Sequence, residues 1–182
     1  MVGTKLEHLR LEISKYIGLP YHTNIPKIDS PEAALVGKGS AKEIALKTIE
    51  FANAENVKLI DLNPQQIYNF QKKHKLGIDC SGLACHLLNF YFNLNLNVRH
   101  TSAAMLTSSP LSQKISISKA NTGDLIRQKN GHHLLFIVDK IDNQITYVDS
   151  SLKGRGVRYG HFDITDKNFL YDGAFRLNAL SK

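Results

Sequence analysis

The 182-residue chain lacks any apolar run near the roughly 20 residues that span a bilayer, so no membrane-spanning helix is expected. Met1–Arg10 mixes charged and apolar residues without an apolar signal core, and does not read as a secretory signal. Cysteine is scarce, with Cys80 and Cys85 alone. On one helix this pair is rotated about 140° apart, which disfavours a disulfide. The spacing, without a second pair, is also a poor zinc pattern. The chain is therefore expected to fold with neither disulfide nor metal. Internal repeats, low-complexity stretches and linkers are missing too, and residues 1–182 read as one domain long enough for a real core.

Negative charge is in short supply. Lys and Arg number 23 against 16 Asp and Glu, a formal net charge of +7. That balance favours anionic partners such as nucleic acid, acidic lipid or an acidic wall polymer. The basic residues are scattered, and no nucleic-acid motif accompanies them. The densest group, Lys72-Lys73-His74-Lys75, reads as a solvated helix end.

The first half of the chain is patterned for helices. Leu6, Leu9, Ile13 and Ile17 form a stripe over residues 4–17, with Thr4 as cap. Residues 18–30, with Pro20 and Pro26, read as extended surface chain, in which Tyr21 and His22 are surface packing. Ser30-Pro31-Glu32 signals a helix start with Pro at the first position. Gly37-Lys38-Gly39-Ser40 breaks that helix, and is too short of the full pattern to be a phosphate loop. Ser40 with Glu43 forms a capping box for a helix over 41–54. Asn63-Pro64 opens another over about 64–74. A helix from Cys80 to about Phe92 turns Leu83, Leu87 and Phe90 toward a core. Thr101 or Ser102 caps a short helix entered from Arg99. After Pro110 the runs become β-rich: Ile115 and Ile117, 124–127, 134–138, 145–148, 157–159 and 170–177, with a hairpin turn at Asp142-Asn143. Helices followed by an antiparallel meander imply an α+β domain.

One stretch carries chemistry. In Gly77-Ile78-Asp79-Cys80-Ser81-Gly82, Cys80 falls in the first turn of a helix, where unpaired N–H groups and the helix dipole lower a thiol pKa toward neutrality. Asp79 is the candidate N-cap. A cysteine nucleophile needs a base and a group to orient that base. The base candidates are His132 and His133, which open the strand Leu134–Val138; by alternation only one faces the Cys80 helix. The third group is expected from the next strand, where Asp149, or less favourably Ser150, follows Val148. His86, about 120° around the helix from Cys80, is poorly placed as a base.

These residues stand in the order of a known family. Asp79-Cys80-Ser81-Gly82-Leu83 resembles the nucleophile motif of the NlpC family of papain-like cysteine peptidases, which cut bacterial cell-wall peptides. Arg99-His100-Thr101-Ser102-Ala103-Ala104 is similar to the segment after the nucleophile helix. Thr122-Gly123-Asp124-Leu125-Ile126 resembles the Pro-Gly-Asp-Leu strand entry, with Thr in place of Pro. His133-Leu134-Leu135-Phe136-Ile137 resembles the His strand, and Gly173-Ala174-Phe175-Arg176-Leu177 the closing strand. The resemblance covers about residues 64–178, leaving 1–60 as a family-variable helical extension.

The resemblance implies a papain-like fold with its nucleophile at a helix N-terminus. Carried over by position, it implies Cys80 as nucleophile, His133 as base and Asp149 as third residue, where the family commonly has His and sometimes Asn or Gln. Asp79, Ser81, His132 and Tyr68 are the expected substrate-binding residues, Tyr68 lying where the family has a Tyr before its Cys motif. It implies a peptidoglycan stem peptide as substrate, cut near a D-Glu to diamino-acid bond through a Cys80 thioester, with no metal or cofactor. Alternatives are an amidase, acyltransferase or deamidase using the same triad on protein or lipid, or a non-catalytic binding module.

Overall fold

The computed structural model describes residues 4–23 and 32–180. Its architecture is α+β: helices precede a six-stranded antiparallel sheet. Helix α1 is Lys5–Ser14 and α2 is Ala41–Ala54, each opened by a capping box, Thr4 with Glu7 and Ser40 with Glu43. Helix α3, Pro64–Lys73, has Asn63 as cap and Pro64 in its first turn. Helix α4 is Cys80–Phe92, and α5 is Ala103–Leu106, capped by Ser102, whose Oγ accepts from the Met105 N–H. The expected start at Ser30-Pro31 lies outside the described residues. The helical turn that follows is a 3-10 turn, Ala33–Val36, with Glu32 at its N-cap.

The strands are β1 Ser112–Ile115, β2 Leu125–Gln128, β3 His133–Ile141, β4 Gln144–Ser151, β5 Gly156–Asp163 and β6 Gly173–Leu177. Their spatial order is β1-β6-β2-β3-β4-β5. The expected meander holds from β2 to β5, but β6 returns to pair between β1 and β2. A buried carboxylate fixes that return: Asp124, at the entry to β2, accepts from Arg176 Nε at 2.9 Å and Nη2 at 2.7 Å. Asp142-Asn143 joins β3 to β4, with Asp142 at φ 52° as a two-residue hairpin requires. Ile117 sits in a 3-10 turn rather than a strand.

Strand alternation divides the apolar residues between two faces. Leu125, Leu134, Phe136, Val138 and Val148 pack on α4, while Ile126, Leu135, Ile137, Ile145 and Phe162 form a second cluster with Phe169. Helix α4 lies against α1, β3 and β4, and is buried through residues 80–85, 87 and 88. Leu9, Ile13 and Tyr16 join the same cluster, so the segment before residue 60 and the α4–sheet unit share one core. Phe90, expected inside, is 47% exposed. It stands in the last turn of α4, past the packing of Leu83 and Leu87. There Tyr91 and Phe92 are covered instead by α1, with Lys5 Nζ 4.2 Å above the Tyr91 ring. Among the described residues, no helix is long and apolar enough to cross a membrane.

The chain around Ile78 is held from two sides. Tyr21 makes a parallel bridge to Ile78 and Lys38 an antiparallel one. Leu19 in turn accepts from Val157 N at 2.9 Å, tying residues 18–22 to β5. Ser150 Oγ donates to the Ile78 carbonyl at 2.6 Å. The entry to α4 is therefore clamped by three separate stretches of chain. Truncation of Leu87, which is fully buried on the sheet-facing side of α4, is expected to cost about 2–5 kcal/mol in a Leu87→Ala variant. Urea unfolding followed by far-UV circular dichroism reads this directly, and a cost under about 1 kcal/mol contradicts α4 as the centre of the core.

Candidate active site

Cys80 is the first residue of α4 and Asp79 its N-cap. Asp79 Oδ1 accepts from the Gly82 N–H at 2.6 Å and from Ser81 Oγ at 3.1 Å. Gly82 has no room for a side chain, since a Cβ there would lie 2.7 Å from the Gly37 carbonyl oxygen. Both cysteines are free and buried.

The first turn of α4 opens on a groove in two parts. One, about 260 Å³, lies over Cys80 between Tyr21, Thr23, Ser102, Asn130 and His132. The other, about 380 Å³, shares Asp79, Ser81 and Ser102 with it and continues to Lys38, Arg99 and His100. A larger cavity of about 520 Å³, between α2 and residues 32–34, does not reach Cys80.

The two candidate histidines have different settings. His132 precedes β3 in the turn after Gly131, is exposed and lines the groove, so strand alternation does not apply to it. His133 begins β3 and is buried. Its Nε2 lies 3.0 Å from Asp149 Oδ2, diagonally across the β3–β4 ladder beyond the Phe136–Val148 pair. A carboxylate only accepts, so Nε2 carries the proton and Nδ1 of the neutral ring has the free lone pair. Asp149 is 3% exposed, and its Oδ1 accepts no hydrogen bond among the described residues; Arg158 Nε stands 3.7 Å from it. The backbone N–H groups of Ser81 and of Leu134, the residue directly after His133, act on the Cys80 thiol in favour of its charged form. The structure thus brings the His133 main chain against Cys80 and the His133 ring against Asp149. Ser150, the other candidate third residue, is committed to the Ile78 carbonyl. His86 Nε2 bonds the Lys38 carbonyl at 3.0 Å.

The thiol is not activated in the resting state as the helix dipole alone predicts. Burial pushes the Cys80 pKa up to about 11, and the adjacent Asp79 carboxylate adds to the rise. The Leu134 and Ser81 amides and the Lys38 ammonium oppose it without cancelling it. Desolvation outweighs the helix terminus because the cysteine is only 8% exposed.

Two further residues stand at the groove: Tyr21, expected as surface packing, and Lys38, for which the sequence suggests no role. Tyr21 forms its wall, half-buried, with its hydroxyl bonded to Thr23. Lys38 is 4% exposed and donates to Asp79 Oδ1 at 3.0 Å, Ser81 Oγ at 2.6 Å and the Thr101 carbonyl at 3.3 Å. A signal existed for Tyr21, a tyrosine within an extended Pro-flanked stretch able to line a groove. For Lys38 the sequence offers only a lysine between two glycines. Tyr68, by contrast, is not brought to Cys80. It sits on α3 beside Gly18, Gln65 and Val157, with the Arg155 guanidinium 5.8 Å from its ring, because α3 turns Phe70 and Gln71 inward instead.

Among the described residues, no group of three His, Cys, Asp or Glu side chains is arranged to hold a metal ion. Comparison with family models, curated proteins and solved structures returned no match.

A thiol with a pKa raised to about 11 is protonated across the neutral range, and its thiolate fraction grows as pH rises. The rate of Cys80 alkylation by iodoacetamide should therefore climb about tenfold per pH unit between about pH 7 and 9 without levelling. Peptide mapping by mass spectrometry measures this, and a plateau near neutral pH contradicts the assignment.

Proposed function

We propose that this chain is a papain-like cysteine peptidase that hydrolyses amide bonds of peptidoglycan stem peptides. The observation that carries the reading is the buried His133–Asp149 pair, at 3.0 Å, set on the strand whose Leu134 amide acts on the Cys80 thiol. It supplies the base and the orienting group that a cysteine nucleophile requires. The order of motifs along the chain supports the substrate class. The net charge of +7, with Arg99 and His100 along the groove, suits an anionic wall polymer.

The resting thiol is neutral, so the first step is general-base catalysis rather than attack by a preformed ion pair. Nδ1 of His133 takes the thiol proton as the Cys80 sulfur bonds the amide carbonyl carbon. Asp149 stabilises the imidazolium that results. The carbonyl electrons move onto oxygen, where backbone N–H groups at the first turn of α4 receive them. Collapse restores the carbonyl and breaks the C–N bond, with the imidazolium proton passing to the leaving amine. The thioester left on Cys80 is then attacked by water, which His133 deprotonates. The acid is released and the thiol regains its proton.

Incubation of purified wall fragments with the wild type, followed by mass spectrometry of the peptides, tests this reading. New peptide termini are expected with the wild type and none with Cys80→Ala. Uncut fragments in both digests overturn the peptidase assignment, and equal cutting in both removes Cys80 from the reaction.

A further inference from the structure

Among the described residues Lys38 is the one buried cation at the groove, and the proposed mechanism assigns it no role. A lysine is seldom buried unless paired. Here its ammonium spans both oxygens of Asp79, with Oδ2 also at 3.0 Å, together with Ser81 Oγ and the Thr101 carbonyl. Its backbone is fixed as well, by the bridge to Ile78 and by the Asp79 N–H donating to the Gly37 carbonyl at 2.9 Å. We infer that Lys38 is a positioning residue for the Cys80 nucleophile: its ammonium, bound to the Asp79 carboxylate that caps the Cys80 helix, offsets that carboxylate's charge and so eases loss of the thiol proton.

Two roles of Asp79 pull against each other. As the helix cap its Oδ1 accepts from the Gly82 N–H and the Ser81 hydroxyl. As the residue before Cys80, its carboxylate opposes formation of a thiolate. A cation bound to that carboxylate leaves the cap intact and offsets part of that opposition. The groups gathered around Cys80 are Asp79 and Cys85 on α4, Tyr21 on the adjoining chain, His132 in the turn, and His133 on β3 with Asp149 behind it. None of them carries a fixed positive charge. Lys38 does, and its field at Cys80 acts against that of Asp79. The same contacts orient Ser81, the residue directly after Cys80. The inference rests on Cys80 being the nucleophile but not on the identity of the substrate.

Alkylation of Cys80 in the full chain by iodoacetamide, a neutral probe, separates charge from structure. At about pH 8, Lys38→Met should react about tenfold more slowly than the wild type, while Lys38→Arg, which keeps the charge, should stay within about threefold. Asp79→Asn, which retains a capping oxygen and leaves Lys38 uncompensated, should react faster than the wild type. The double variant, with both charges removed, should return to near the wild-type rate. Lys38→Met that is folded by circular dichroism yet matches the wild type overturns the inference. So does a double variant as slow as Lys38→Met, since that result assigns Lys38 to packing alone. Should Lys38→Met fail to fold, Asp79→Asn decides: a rate no faster than wild type overturns the inference. A wild-type Cys80 that resists the probe at every pH up to about 10 removes the nucleophile itself, and the role of Lys38 with it.

Discussion

The carboxylate of Asp79 is the point on which the site depends. It accepts the Gly82 N–H that starts α4, receives the ammonium of Lys38, and holds the Ser81 hydroxyl beside Cys80. Loss of one partner of such a buried pair typically costs about 3–5 kcal/mol, because the other charge is left without compensation. The pair also joins parts of the chain that are far apart in sequence. Residues 37–38 are pinned to Ile78 by the same geometry that delivers Lys38, and Ser150 reaches Ile78 from β4. The helix start, the sheet and the groove wall are therefore fixed around one short stretch, Ile78–Ser81.

That stretch explains how one cysteine is placed without being ionised. Burial in the core of α4 and the sheet gives Cys80 a precise position, and the same burial raises its pKa. A thiol so placed needs a base in the act of reaction. A histidine whose Nε2 is fixed by Asp149 presents Nδ1 in a single tautomer, which is what such a base requires. Asp149 makes this bond from within the sheet, where it is nearly inaccessible and faces the exposed Arg158 across the β4–β5 ladder.

Much of this order is written in local sequence. The caps at Thr4, Ser40, Asn63 and Asp79 are read from single side chains three residues from their partners, and each forms as that spacing demands. The Asp142-Asn143 hairpin joins β3 to β4, but a bulge between Ile137 and Asp139 shifts the register by one residue, and it is the shifted register that puts Asp149 on the face of His133. What sequence conceals is contact between distant segments. Nothing near Lys38 reveals that Asp79, 41 residues later, receives its ammonium. Sequence reads Tyr68 as a groove residue and Tyr21 as surface packing, and the fold reverses the two, with Tyr21 bridged to Ile78 at the groove wall. The insertion of β6 beside β2 is likewise a long-range choice, fixed by the Asp124–Arg176 pair. The thiol pKa departs from the local expectation for the same reason: the helix terminus is local and visible, whereas burial comes from the whole fold.

In the proposed reaction the Cys80 sulfur becomes covalently acylated during turnover. Acid-quenching the protein while it is incubated with soluble wall peptides, then weighing it intact, reads that step. The account predicts a mass increase equal to the acyl half of the cleaved peptide, mapped to Cys80 and removed by hydroxylamine, which cleaves thioesters. Product formation with no adduct on Cys80, or with an adduct on another side chain, would contradict it.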